Sequence, residues 1–537
     1  MAQPAQPVHE PRLSPYAWAA MATGAMALAI AHARVTVVLP DAARFSFDSA
    51  EYALAGRAWL ETGRLVTPFV HPAALGSSPG PPYPLLVGHP LVPALDALAF
   101  AIGGADPIAS LAPAIVAFVL CVLLTTRLAL ALSGSRSAAL GAGAAFALSP
   151  WALRYASEGL SEMPFSALLT GALLLLWQLP HRPRPLLLGV VLGLAHLARP
   201  VVVPLLPAFG LGLLLLAPPR RLWRTLGLTV AGFVPLAAIT GAYKWIMTGS
   251  PFTDIGSYLL LTGVTPEYVV GRLNRMTPPP DALAWIRAHP DAWVDKLVRN
   301  LRSVTYGAWR LGGRWPYAFA ALTGGLALVR GDRRARCFVL VVAAVAGLLT
   351  LLAAGTVAHP RMLFPLLPAA MALAFAGLAR LAELLGGGRR VVVGVAALLA
   401  VASGVLPLAR EWKASLAGGL AGRGEYHERE WRGLGLGVRP LLPEGVLVAS
   451  DAAPWVAWYA RHPVTIVPLS PAELVSGPPR LRPGAVVLTN EWMVSRPGEE
   501  AWRVLLERRE APPGFRYSGH VRSGRLEAVV FTRNATP

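Results

Sequence analysis

The sequence predicts an all-α polytopic membrane protein of about eleven transmembrane helices, ending in a small extracytoplasmic α/β domain. Three observations predict it. Of the 537 residues, 55% are hydrophobic and only 14% are charged, against roughly 25% charged in average soluble chains. The apolar residues gather in repeated runs of membrane-crossing length. From about Arg410 the runs cease, and charged and aromatic residues return.

The net charge of +19 is not a nucleic-acid signal. It is nearly all arginine; the only lysines are Lys244, Lys296 and Lys413. No basic tract carries interleaved aromatics, so no nucleic-acid partner is expected. Cys121 and Cys337 both fall in apolar runs, outside any C-x-x-C unit. This excludes a disulfide framework and a thiolate metal site.

Taken in order, residues 1–14 are polar, and Pro15 to Leu39 forms the first span. Ala31-His32-Ala33 resembles a signal-peptidase site, but the apolar run continues past it, so a retained anchor is expected. Further candidate spans lie at residues 107–132, 138–150, 163–179, 186–198, 200–217, 226–247, 315–329, 337–356, 362–380 and 391–408. Short basic loops occur at Arg136, at Arg182 and Arg184, at Arg220, Arg221 and Arg224, at Arg330 to Arg336, and at Arg389 and Arg390. With a cytoplasmic N-terminus all five fall on the cytoplasmic side. That arrangement predicts a bacterial plasma-membrane protein whose C-terminus is extracytoplasmic. Outside lie the first loop (residues 40–106), Trp151–Glu162, the 250–314 loop and the C-terminal residues. The chain thus divides into a membrane domain, 1–408, and an outer domain, 409–537.

The first outer loop reads FSFDSAEYALAGRAWLETG and then turns rich in Pro, Gly and His. Its first part predicts a helix capped by Asp48, with Glu51 closing a capping box and Phe47 and Tyr52 as a hydrophobic staple. Gly63 ends it as a C-terminal glycine. Asp48, Tyr52 and Gly56, spaced by four, share one face. In the 250–314 loop Trp293, Val294, Leu297, Val298, Leu301 and Val304 recur at helical spacing, opposite Asp295, Lys296, Arg299, Asn300 and Arg302. This predicts an amphipathic helix on the outer membrane face, where membrane lipid is its partner. Beyond Arg410, strands are expected at 445–450, 464–467, 485–489 and 526–532, and helices at 454–460 and 499–508. The alternation predicts a lid, scaffold or acceptor-docking domain without catalytic groups.

Candidate chemistry gathers outside, near the membrane. Carboxylates come from Asp48, Glu51, Glu158 and Glu162; arginines from Arg154, Arg199 and Arg361. A carboxylate can take a proton from an attacking hydroxyl, and arginines can hold a phosphate. Asp48 reads both as helix cap and as base. Glu162 and Glu158 read as a second functional carboxylate or as acids at a helix start. Arg199, Arg361 and Arg154 read as phosphate ligands or as markers of span ends. Glu51, Tyr52 and His89 are candidate substrate contacts. His71 and His89 with Asp48 are the one candidate set for a divalent metal, at a spacing that matches no standard ligand pattern; no cofactor is otherwise implied.

The order of motifs carries a resemblance. D-x-x-x-Y-x-x-x-G-x-x-W-x-x-x-G (Asp48, Tyr52, Gly56, Trp59, Gly63) is followed by P-P-x-x-P…H-P-L (Pro81, Pro82, His89, Pro90, Leu91). Then come S-P (Ser149, Pro150), S-E (Ser161, Glu162), L-A-R-P (Arg199, Pro200) and H-P-R-M-L-F-P-L-L-P (Arg361, Pro365, Pro368). Over residues 15–408 this resembles the GT-C superfamily of polyprenyl-phosphate-sugar-dependent glycosyltransferases, especially bacterial relatives of protein O-mannosyltransferases and lipid A aminoarabinose transferases. The resemblance implies a GT-C-like helical fold and Asp48 as base. It also implies a polyprenyl-phosphate-linked sugar donor and a lipid, glycan or protein acceptor. Two departures stand out: the family's adjacent second acid is Ser49 here, and its late R-Y is Arg361-Met362. The competing readings are a transporter or flippase for a lipid-linked glycan and a non-enzymatic membrane subunit.

Overall fold

In the computed structural model the described residues are 12–42, 46–86, 89–253, 255–264, 275–311, 325–326, 330–384, 386, 389–418, 426–491 and 499–534. The apolar runs become helices: α1 (Pro15–Ala33, continued by a π-turn to Val38), α4 (Ala112–Ser133), α5 (Arg136–Ala147), α7 (Glu162–Gln178), α8 (Pro185–Ala198), α9 (Val202–Leu216), α10 (Leu222–Thr248), α14 (Arg333–Gly355), α15 (Leu367–Leu384) and α16 (Arg389–Gly418). The run at 315–329 lies almost wholly outside the described residues. Among the described helices five are long and apolar enough to cross a membrane: those covering Pro15–Val38, Ala109–Ser133, Pro219–Thr248, Arg333–Gly355 and Phe364–Leu384. α4 is the hub of the membrane bundle. Its Phe118 stacks on Phe146 of α5 at 6.0 Å, and one apolar core joins it to α1, α7, α9 and α15. α8 and α10 approach closely because Gly189 and Gly232 meet the facing backbone, where a side chain would collide.

The first outer loop folds as α2 (Phe47–Thr62), an irregular segment, and α3 (Leu91–Gly103). Gly63 ends α2 at φ 70°, as expected of a C-terminal glycine. Gly56 lets α2 press on Pro93 and Asp96 of α3. A short helix, α6 (Pro150–Ala156), lies before α7; α11 (Gly256–Leu261), α12 (Ala282–Ala288) and α13 (Pro290–Leu311) form the 250–314 loop.

α13 is the expected amphipathic helix, with most of its apolar stripe turned outward. Val294, Val298 and Leu301 are exposed, while Lys296 and Val304 are buried. Lys296 Nζ donates to the Leu259 and Leu260 carbonyls at 3.1 and 2.8 Å, and Asn300 Nδ2 to the Ala354 carbonyl at 2.8 Å. These polar side chains cap carbonyl groups that would otherwise be left open at the ends of α11 and α14. The apolar stripe is thereby free to lie in lipid.

The C-terminal part holds a five-stranded sheet in the order β2-β1-β3-β5-β4, from β1 (Val448–Ser450), β2 (Val464–Ile466), β3 (Ala485–Thr489), β4 (Phe515–Ser523) and β5 (Leu526–Arg533). β1 pairs parallel with β2 and β3; β5 pairs antiparallel with β3 and β4. One face carries α17 (Glu428–Val438), whose Trp431 stacks on Trp455 at 4.3 Å. On the other face Trp502 is buried against Val486, Leu488, Val529 and Phe531. β4 is the strand the sequence does not announce: it is a polar edge strand, broken by a bulge between Tyr517 and Gly519. α16 runs without a break through residue 408, where the sequence suggests the domain boundary, and ends at Gly418. The core of the α/β unit is not its own alone. Ala50, Ala53 and Leu54 of α2, with Phe69 and Phe100, share one buried cluster with Trp431, Trp455, Trp458 and Val530.

Candidate active site

Four segments meet at one end of the membrane bundle: the start of α2, the start of α7, the end of α8, and the turn between α14 and α15. Each brings one charged side chain. The start of α2 differs from expectation. Ser46, not Asp48, is the cap, and Ser49, not Glu51, closes the box, with hydrogen bonds of 3.2 and 2.8 Å. Ser and Asp cap about equally well. Here the serine takes the cap and leaves Asp48, in the first turn, to a different partner. The Tyr52 hydroxyl lies 3.3 Å from Ser161 Oγ; the expected staple falls on the Phe47 side chain, which lies outside the described side chains.

Asp48 Oδ2 lies 2.6 Å from Arg361 Nη1, and its Oδ1 lies 3.2 Å from His71 Nε2. The other ring nitrogen, His71 Nδ1, accepts the Ala73 N–H at 3.2 Å. The proton of a neutral ring therefore sits on Nε2, which donates to Asp48. Burial acts to raise the Asp48 carboxyl, but the Arg361 guanidinium and the His71 hydrogen bond outweigh it and hold it well below the usual carboxylate range. Burial and the Asp48 charge push the Tyr52 phenol up, so it stays neutral.

Glu162 opens α7, where the helix dipole favours an acid. Its carboxylate is 1% exposed; Oε1 lies 2.8 Å from Arg199 Nη1 and 3.7 Å from Arg361 Nε. Arg199 caps the end of α8, and its Nη2 also reaches Met362 Sδ at 3.7 Å. Neither Glu162 oxygen nor Arg199 Nη1 has a well-directed hydrogen bond to a protein group. Charge, rather than aligned donors, holds this pair. Asp48, Arg361, Glu162 and Arg199 thus form a chain of alternating sign, and Arg361 belongs to both carboxylates.

The remaining candidates stand around this chain. Arg154 and Glu158 bond each other at 2.6 Å on α6 and its end, with Arg154 58% exposed. Glu51 is buried on the next turn of α2, within electrostatic reach of Tyr243. Tyr243 ties α10 to the first loop: its hydroxyl accepts the Leu85 N–H at 2.8 Å and donates to the Leu65 carbonyl at 2.9 Å. His89 is not with Asp48. It packs edge-on against His196, centroids 5.3 Å apart, and burial lowers it to about 3. The candidate metal set is therefore split, and among the described residues no three His, Cys, Asp or Glu side chains are placed to hold a metal. Of the candidate metal set His71 does lie beside Asp48, as its hydrogen-bond partner, and Ser161 and Met362 join the site as contacts from the S-E and R-M steps.

No protein-family description matches the chain, and no curated protein does. Solved structures do. Crystal structures of ArnT from Cupriavidus metallidurans bound to undecaprenyl phosphate and of the Archaeoglobus fulgidus oligosaccharyltransferase in complex with Zn and sulfate superpose with TM-scores of 0.56 and 0.57. The first is 15% identical, over 96% of this chain and 98% of ArnT; the second is 13% identical, over 88% of this chain and 68% of the archaeal enzyme. A cryo-EM structure of the arabinofuranosyltransferase AftD from Mycobacteria, 16% identical, gives 0.54 over 98% of this chain and 42% of AftD. At such identities the likeness is one of fold, and it runs over nearly the whole of this chain: the protein shares the fold of these solved structures, as the GT-C resemblance of its motifs implies.

Proposed function

We propose that the protein is an integral membrane glycosyltransferase. It transfers a sugar from a polyprenyl-phosphate carrier to an acceptor hydroxyl or amine on the outer face of the membrane. The observation that carries this is Arg361 shared between Asp48 and Glu162, beside Arg199, at one end of the bundle. Related folds lend support: ArnT was solved with undecaprenyl phosphate, and the archaeal oligosaccharyltransferase with a tethered acceptor peptide.

The chemistry follows from the pairing. The two carboxylates are paired with the two arginines. A donor phosphate competes for Arg361 and Arg199, which can grip its oxygens through planar forks. Asp48, released from Arg361, becomes a stronger base, because the charge that depressed it is now spent on phosphate. It takes the proton of the acceptor as the acceptor's oxygen or nitrogen bonds to the sugar's anomeric carbon. The bond from that carbon to the phosphate oxygen breaks, and the polyprenyl phosphate leaves with its electrons, stabilised by the arginines. One displacement inverts the anomeric centre. Glu162 holds both arginines in register and is the second functional carboxylate. Arg154 and Glu158 stand beside this chain of charges, and Tyr52, Glu51 and His89 remain the candidate substrate contacts.

In this reading about eleven spans cross the membrane, as the apolar lengths allow, with the N-terminus cytoplasmic. Residues 1–408 form the transferase domain and 409–537 an extracytoplasmic domain. A transport reading is less well supported, because the acids and arginines converge in one cluster at one end of the helical bundle rather than along a path through it. The test is to incubate the purified protein with radiolabelled polyprenyl-phosphate sugars and acceptor lipids and follow release of the lipid phosphate. Donor cleavage without a labelled acceptor product would leave only hydrolysis, and no cleavage with any donor would reject the proposal.

A further inference from the structure

The site is built by two bodies. Arg361, Glu162 and Arg199 belong to the membrane bundle, whereas the segments that carry Asp48 and His71 also dock on the C-terminal domain. α2 is one arm of that mount: Ala50, Ala53 and Leu54 lie in the core of the α/β unit. Arg57, nine residues and about 13 Å along α2 from Asp48, is 6% exposed. Its Nη1 and Nη2 donate to the carbonyls of Trp458 and Ala457 at 3.0 and 3.2 Å, and its guanidinium lies 4.3 Å from the centre of the Trp458 ring. Those carbonyls close the helical turn Val456–Ala460, which ends at Arg461 in the left-handed region at φ 59°. A cation there meets both the open carbonyls and the negative end of the dipole.

The second arm is the loop that carries His71. Phe69 pairs in parallel with Val464 of β2. The Val464 N–H donates to the Pro68 carbonyl at 2.7 Å, and the Val70 N–H to the Val464 carbonyl at 3.3 Å. Residues 68–70 thus extend the sheet beyond β2, and His71 follows directly. The helix that bears Asp48 and the loop that bears His71 both dock on elements of the last hundred residues.

From this we infer that the C-terminal domain sets the position of the Asp48 carboxylate against Arg361, with Arg57 as the positioning residue that locks α2 to it. The inference rests on the transferase reading. Misplacing a reacting group by about 1 Å can cost roughly 100-fold in rate. Arg57→Met keeps the apolar stem over Trp458 and removes the donors; Arg57→Lys restores one charged donor. For Arg57→Met the expectation is a turnover about 10- to 100-fold lower per folded molecule, with donor KM nearly unchanged. The acidic limb of its pH–rate profile moves to higher pH, because Asp48 loosened from Arg361 returns toward an ordinary carboxyl. Arg57→Lys recovers part of the rate. Should Arg57→Met fail to fold, Trp458→Leu, which leaves both carbonyls in place, shows the same shifts in smaller measure. A lower melting temperature with unchanged turnover and pH profile in these variants overturns the inference. A wild-type protein that transfers no sugar overturns the transferase reading instead.

Discussion

Arg361 Nη1 stands 2.6 Å from Asp48 Oδ2, so the proposed base and a proposed phosphate ligand form an ion pair with each other. A donor phosphate must break this pair to bind, and breaking it is what raises the basicity of Asp48. Binding the donor and activating the base are then one event.

Arg361 is the first test of that coupling. Arg361→Ala removes a charge-assisted contact of about 1.5–3 kcal/mol, so donor affinity should fall roughly 10- to 100-fold. Arg361→Lys should recover part of it as a point charge lacking the fork. Donor titration by calorimetry measures both, and wild-type affinity in Arg361→Ala would remove the residue from the phosphate site.

Stability reads the other pair. Glu162 is 1% exposed and leans on Arg199, so Arg199→Ala leaves a buried charge partly uncompensated, at a cost of about 3–5 kcal/mol. Neutralising the acid as well, in Arg199→Ala/Glu162→Gln, should restore much of the loss. Thermal unfolding of the two single variants and the double decides it; simple additivity would mean the residues do not interact.

The pH dependence has a definite sign. The folded Asp48 carboxyl is held below its unfolded value of about 3.9. Its contribution to stability is therefore complete above that value and is lost as pH falls through the lower, folded one. The stability difference between wild type and Asp48→Asn should be flat above about pH 5 and shrink below about pH 4. Unfolding titrations from neutral to acid pH measure it, and a difference that widens on acidification would show that Asp48 is not depressed.

Much of this was legible in the sequence, and the exceptions have physical causes. Long apolar runs dictate helices, since nothing else satisfies the backbone in lipid; the run at 315–329 alone stays outside what the structure describes. The S-E, L-A-R-P and H-P-R steps mark span ends, and so pick out Glu162, Arg199 and Arg361 before any fold is known. That Arg361 serves two carboxylates could not be read, because the residues involved lie 48, 162 and 361 along the chain and meet only through helix packing. Ser46 and Asp48 are near-equal caps two residues apart, and the arginine partner decided between them. For α13 the outward apolar stripe was legible, but the inward turn of Lys296 and Asn300 was not, because their partners are carbonyls at the ends of α11 and α14. β4 is polar and carries Gly519, so its pairing with β5 rather than its own composition makes it a strand.

Asp48→Asn tests the central claim most directly, and the serine cap makes it clean, since Ser46 and Ser49 hold the helix start without Asp48. The substitution keeps the shape and removes the charge. Turnover of a polyprenyl-phosphate sugar, measured beside donor affinity on folded protein, is the readout. The account predicts a loss of roughly 10²- to 10⁴-fold in turnover, with donor affinity retained or increased because Arg361 no longer has Asp48 as a competitor. Near wild-type turnover in a folded Asp48→Asn protein would contradict it.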